Sequence, residues 1–225
     1  MAIYDTGVPE QLLTGMRLAR GAVGRGELVV IPTDTVYGVA ADAFSPAAVQ
    51  RLLDAKGRDR TAPPPVLVPS LATLDALADS VPDEVRALVD AFWPGGLTVI
   101  LRARGMLDWD LGETRGTVAL RMPSHPIALE LLAETGPLAT SSANLTGRPA
   151  ALTAAEAESM LGDSVAVYLE AGAAGEDYPD AAAHTGSTIV DATNLEHPDG
   201  KLRIVRHGVI SDAEIVRVVG AERCA

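Results

Sequence analysis

The chain has 225 residues, 48% hydrophobic and 21% charged, a globular composition with length enough for one sizeable α/β core. Its net charge of −12 excludes a broad, non-specific nucleic-acid surface, though not a local basic site. The single cysteine, Cys224, excludes a disulfide framework and a thiolate metal cluster and fits a reducing compartment.

Asp5, Glu10 and Arg17 interrupt any early apolar run, so no signal peptide is expected. No stretch approaches the roughly 18 apolar residues of a membrane-spanning helix. The expectation is a cytoplasmic protein with no membrane contact.

Along the chain, Leu12, Leu13, Met16, Ala19 and Val23 have helical spacing, which predicts a helix over 9–24 stopped by Gly24 and Gly26. Glu27-Leu28-Val29-Val30-Ile31 reads as a buried strand ended by Pro32. Ser45-Pro46 supplies an N-cap hydroxyl and a first-turn proline for a helix running to Lys56. A loop with Pro63, Pro64 and Pro65 precedes a short strand at 66–68. Helices are expected over 71–78 and 83–92, and Pro94-Gly95-Gly96 turns the chain into a strand at 97–102. Residues 105–115 read as an exposed loop, followed by a strand at 117–121. Ser124-His125-Pro126 opens a helix to Glu134, and a strand returns at 137–140.

Thr153 and Ser211, each followed three residues later by glutamate, fit the capping box of two further helices. Strands are expected at 165–169, 187–191 and 202–206, with a loop over 171–186. Several strands follow one another without an intervening helix, which favours a mixed sheet over a strictly wound parallel one. One domain over 1–225 is expected.

The motifs for common chemistries are missing. There is no G-x-x-x-x-G-K-[ST] loop, and Gly21, Gly24 and Gly26 follow a helix where a dinucleotide fingerprint would follow a strand. His125, His184, His197 and His207 have no zinc spacing, and no G-x-S-x-G elbow is present. The run Pro32-Thr33-Asp34-Thr35-Val36-Tyr37-Gly38 reads equally as a self-satisfied turn or as a ligand loop at a strand end. Lys56-Gly57-Arg58 taken alone reads as a solvated helix end. Ser142-Ala143-Asn144 taken alone reads as a turn or cap. Arg121 and Ser187-Thr188, at strand termini, are ambiguous.

Together with Trp93-Pro94-Gly95-Gly96-Leu97-Thr98, Val118-Ala119-Leu120-Arg121-Met122-Pro123, Ser187-Thr188-Ile189-Val190-Asp191 and Arg206-x-Gly208, these runs resemble the YrdC/Sua5 family in order and approximate spacing. The resemblance covers almost the whole chain. It implies an α/β twisted open mixed sheet with helices packed on it and a large, positively charged central cavity. It also implies L-threonylcarbamoyladenylate synthase activity: L-threonine, bicarbonate and ATP give threonylcarbamoyl-AMP and pyrophosphate, for N6-threonylcarbamoyladenosine (t6A) in tRNA.

By resemblance, Lys56, Arg58, Ser142 and Asn144 support adenylation, with both cations expected in a solvent-accessible pocket. ATP falls to Lys56, Arg58, Asn144 and Arg206. Threonine falls to Thr33, Thr35, Tyr37, Arg121, Ser142 and Ser187. ATP is expected as a substrate carrying Mg2+, with no dedicated metal site and no permanent cofactor. The t6A transferase proteins and tRNA are the implied transient partners.

The segment 59–67 departs from the family pattern, being longer and lacking an asparagine, and a histidine expected near Pro69 is absent. The length leaves no room for the C-terminal domain of longer Sua5-type members. Two other readings compete: an RNA-binding or ribosome-maturation factor without adenylation activity, and a carbamoyl-phosphate-using adenylating domain of hydrogenase maturation.

Overall fold

The computed structural model describes residues 2–180, 185–197 and 199–225. Its strands are β1 (Ile3–Asp5), β2 (Val29–Ile31), β3 (Gly38–Asp42), β4 (Val66–Leu67), β5 (Leu97–Arg102), β6 (Thr117–Arg121), β7 (Leu138–Ser142), β8 (Val167–Glu170), β9 (Thr188–Asp191) and β10 (Arg203–Arg206). Among the described residues they form one sheet in the order β1-β8-β2-β3-β7-β4-β6-β5-β9-β10. Parallel pairs (β1 with β8, β2 with β8, β4 with β6, β5 with β9) are combined with antiparallel ones, so the sheet is mixed as expected.

The helices are α1 (Pro9–Gly24), α2 (Pro46–Lys56), α3 (Leu71–Leu77), α4 (Asp83–Phe92), α5 (Pro126–Thr135), α6 (Ala154–Leu161) and α7 (Asp212–Val219). Their local signals act as the sequence predicts at most ends. The Ser45 side chain accepts from the Ala48 N–H, with proline in the first turn of α2. Ser211 and Glu214 form a full capping box on α7. The second predicted box is only half made. Thr153 caps the Glu156 N–H, but the Glu156 carboxylate takes the Leu152 N–H at 2.7 Å, one residue before the cap. Leu13, counted on the apolar face of α1, is 72% exposed.

Two strands lie outside the sequence reading. β1 is only three residues long, too short to carry a period. β3 is Gly-Val-Ala-Ala-Asp, whose glycine and alanines have little strand propensity of their own. Its central place, between β2 and β7 with both faces buried, imposes the extended conformation.

Helices cover the sheet unevenly. Around β2, β3 and β8, one face packs on α2 and α6 and the other on α1 and α5, in two separate cores. The β4–β10 half buries Val99, Leu101, Val118, Leu120 and Val190 in a third core with α3, α4 and α7. Alternate residues of those same strands, Thr98, Ile100, Ala119, Arg121 and Ile189, together with Ser187 just before β9, point the opposite way into a cavity. The site therefore follows from strand alternation: apolar residues face the helices, and a mixed set that includes two hydroxyls and an arginine faces the void.

Candidate active site

The cavity has a volume of about 660 Å³, within the range of small-molecule sites. The β3–β7 register sets Gly38 opposite Ser142, which brings the Pro32–Gly38 run against the start of the Ser142-Ala143-Asn144 turn. Arg121 ends β6, Ser187 precedes β9 and Arg206 ends β10, and all three reach the same wall. At the end of α2 the αL conformation of Gly57 (φ 61°) reverses the chain, so Lys56 and Arg58 leave in different directions.

Arg58, Arg121 and Arg206 all line the cavity, and among the described residues no carboxylate does. That is unusual in a chain with 30 acidic residues. Arg121 is paired with buried Asp34 (Nη2 to Oδ2, 2.7 Å) and donates to Thr35 Oγ1 (3.0 Å) and the Gly95 carbonyl (2.9 Å). Its remaining N–H groups are available to a ligand. Neither Arg58 nor Arg206 is within ion-pair distance of a carboxylate among the described residues. Arg58 donates to Ser141 Oγ at 3.3 Å, and Arg206 donates to the carbonyl and hydroxyl of Ser187, each at 2.9 Å. Burial, followed by the nearby Arg121 and Arg58 charges, pushes the Arg206 guanidinium below its usual pKa. Burial likewise lowers Arg58. Crowded cations with little counter-charge make an anion site.

Hydroxyls surround these cations. Ser187 Oγ lies 2.7 Å from Thr98 Oγ1. Thr33 and Thr35 Oγ1 are 3.2 Å apart, and Thr33 donates to the Val36 carbonyl, fixing the shape of the loop. The Ser142 hydroxyl, on the cavity wall, has no hydrogen-bond partner among the described residues.

Three sequence expectations need correction. Lys56 is not in a solvent-accessible pocket: it is 3% exposed, and its Nζ donates to the Ser142 carbonyl (2.5 Å) and the Asn144 carbonyl (2.6 Å), with Asn144 Oδ1 at 3.4 Å. Within the turn the Ser142 carbonyl accepts the Asn144 N–H (2.9 Å), and the ammonium gives it a second donor while also capping the Asn144 carbonyl. Asn144 is also interior, its amide donating to the Leu145 (2.9 Å) and Arg148 (2.6 Å) carbonyls. Only Arg58 and Ser142 of the four adenylation residues therefore face the cavity.

The third correction concerns Tyr37. Its backbone segment borders the cavity, but its phenol packs in a helix-covered core. The hydroxyl donates toward Glu170 Oε1 (2.7 Å) and the Gly172 carbonyl (2.8 Å) and accepts the Ala171 N–H (2.8 Å). Burial raises its pKa. Tyr37→Phe strands these partners and is expected to cost about 1–3 kcal/mol of stability, read as a fall in the urea midpoint. An unchanged midpoint would contradict this anchoring role.

Asp34, Thr98, Ser141 and Tyr178 carry site geometry without having been assigned a role from sequence. Asp34 joins Arg121, the Ser124 N–H (2.9 Å) and the Tyr178 hydroxyl (3.3 Å). Thr98 could have been found from its place on an alternating strand, as the one hydroxyl between apolar neighbours. Arg121, Ser187 and Arg206 line the cavity. His184 lies outside the described residues, as does part of the 171–186 loop.

A profile of the Sua5/YciO/YrdC family, described as telomere recombination, matches residues 22–208. A Mycobacterium tuberculosis protein is 48% identical over 219 residues, covering 97% of this chain and 95% of that one. It carries the name threonylcarbamoyl-AMP synthase in provisional form. The Pyrococcus abyssi threonylcarbamoyl-AMP synthase is 33% identical over 92% of this chain, which spans 58% of that protein. The crystal structure of P. abyssi Sua5 complexed with L-threonine superposes with a TM-score of 0.82 at 32% identity, over 93% of this chain and 58% of that one.

Proposed function

The chain belongs to the Sua5/YciO/YrdC family, and from that premise we infer that it is a threonylcarbamoyl-AMP synthase acting in t6A biosynthesis. Its substrates are L-threonine, bicarbonate and ATP. The observation that carries the reading is the convergence of Arg58, Arg121 and Arg206 on one cavity without a lining carboxylate. The reaction gathers a carboxylate, a carbamate and a triphosphate in one place, and such a wall offsets that charge.

In the chemistry we propose, bicarbonate loses hydroxide to give CO2, the threonine amine attacks its carbon to form the N–C bond of a carbamate, and the amine proton leaves with that hydroxide as water. A carbamate oxygen attacks the α-phosphorus, and the bond from that phosphorus to the bridging oxygen of pyrophosphate breaks. Arg58 and Arg206 stand where the phosphates would be neutralised, and the free N–H groups of Arg121 suit the amino acid's carboxylate. The Ser142 hydroxyl, without a partner among the described residues, can donate to the carbamate or α-phosphate. Lys56 and Asn144 would serve by holding the Ser142 turn in place. Magnesium would enter on the triphosphate, held by phosphate oxygens and water.

One sheet running through the described residues supports a single-domain reading. No described helix is long and apolar enough to cross a membrane, which is consistent with work beside tRNA in the cytoplasm. The RNA-binding alternative is less favoured, because these arginines line a cavity and do not form an open basic face.

The test is pyrophosphate release with ATP, bicarbonate and L-threonine, run beside reactions lacking threonine or supplied with carbamoyl phosphate. Threonine-dependent release is the expected result. Release driven by carbamoyl phosphate alone, or none at all, would sink the assignment.

A further inference from the structure

Segment 59–65, one of the places where the sequence departs from the family pattern, forms one wall of the cavity through Ala62, Pro63, Pro64 and Pro65. It is fastened at one point to the loop that precedes β6. The Arg60 carbonyl accepts the Glu113 N–H at 2.8 Å, and the Arg60 guanidinium pairs with Asp110, whose Oδ1 also takes the Gly112 N–H at 3.1 Å. Beyond the fastening, Leu111 and Thr114 of the second loop line the same cavity. Nearby, Phe44 stacks on Trp109 with centroids 5.6 Å apart.

Gly112 makes this approach possible. Its φ is +103°, and a Cβ there would sit 2.7 Å from the Arg60 carbonyl oxygen, inside any real contact distance. The ion pair is exposed on both sides and adds little by itself. The backbone bond and the glycine set the spacing of the loops. That spacing bears on the cavity in two ways. It fixes the apolar and hydroxyl-bearing wall formed by 62–65, Leu111 and Thr114, which suits a flat uncharged group such as a nucleobase. It also fixes the far end of the short segment whose near end is Arg58, two residues before Arg60.

We propose that the contact of Arg60 with Asp110, Gly112 and Glu113 is a positioning clasp for the nucleotide, setting its affinity by holding the two loops at one separation with Arg58 aimed inward. The proposal rests on the synthase reading. Arg60, Asp110 and Gly112 act through the loops and need not touch the substrate.

The test compares wild type with Gly112→Ala, Gly112→Val and Asp110→Ala, using equilibrium titration with a fluorescent ATP analogue alongside steady-state pyrophosphate release. Gly112→Val is expected to weaken nucleotide binding and raise the ATP KM by about tenfold. Gly112→Ala should do so by less, and Asp110→Ala by about twofold. The threonine KM should move by less than about twofold in all three. Asp110 is exposed, so its variant stays informative if a glycine variant fails to fold. Folded Gly112 variants with wild-type nucleotide affinity would overturn the clasp, as would equal rises in both KM values. If wild type binds the analogue but releases no pyrophosphate, the synthase reading fails while the titration still decides the clasp.

Discussion

Arg58→Ala is expected to lower threonine-dependent pyrophosphate release by about 100-fold or more, while the protein melts at the same temperature or slightly higher. The two effects separate because of how few contacts Arg58 makes within the protein. Its guanidinium holds only a 3.3 Å bond to Ser141 Oγ, and burial disfavours its charge. It also contributes to the repulsion that lowers the Arg206 pKa. Removing it relieves crowded like charge and breaks one long hydrogen bond, so the fold has little to lose. The anionic transition state has much to lose, because one of three cations on its wall disappears. Arg58→Lys should restore only part of the rate, since a point charge does not reproduce the planar two-pronged contact. The comparison needs pyrophosphate-release kinetics and thermal unfolding on one preparation. Wild-type turnover in Arg58→Ala, or a clear loss of melting temperature, would refute this account.

This division between function and stability was only partly legible in the sequence. Helix limits marked by Ser45-Pro46, Ser211 and Gly24 could be read directly, because capping and breaking are local effects. Cavity residues at strand ends, Arg121, Ser187 and Arg206, were legible as a motif pattern but not from spacing alone. What stayed hidden depends on contacts far along the chain. β3 is a strand because β2 and β7 flank it, not because Gly-Val-Ala-Ala-Asp prefers extension. Tyr37 sits in a polar run that borders the cavity, yet its ring follows the pleat to the opposite side and meets Glu170, 133 positions away. Lys56 looked like a solvated helix end because helix-end lysines usually are. The carbonyls that draw it inward belong to residues 86 and 88 positions later.

Lys56 supplies the second large effect, of the opposite kind from Arg58. Lys56→Met keeps the side chain's bulk but takes the buried ammonium donor from the Asn144 carbonyl and leaves the Ser142 carbonyl with the Asn144 N–H alone. The expected cost is about 2–4 kcal/mol of stability at pH 7. Activity should fall by about 100-fold as well, because the turn carrying Ser142 loses its side-chain tie to α2 and keeps only the backbone bond from the Thr146 N–H to the Lys56 carbonyl. The pH dependence gives this claim a sharper signature. Burial first, and then the Arg58 charge, push the Lys56 amine down to about 8 from an ordinary value of 10.5. Below about pH 8 both folded and unfolded chains carry this proton, and the fold bears the full penalty of a buried charge. Between about 8 and 10.5 the unfolded chain binds more protons than the folded one, so stability from this group rises with pH. The variant lacks the titration. The stability gap between wild type and Lys56→Met should therefore widen from pH 7 to pH 10, by about 1–3 kcal/mol. Urea unfolding of both proteins across that range measures it, and the difference between them cancels the other titrating groups. A gap that stays constant or narrows would mean that the Lys56 ammonium is not held in the interior as its three oxygen partners imply.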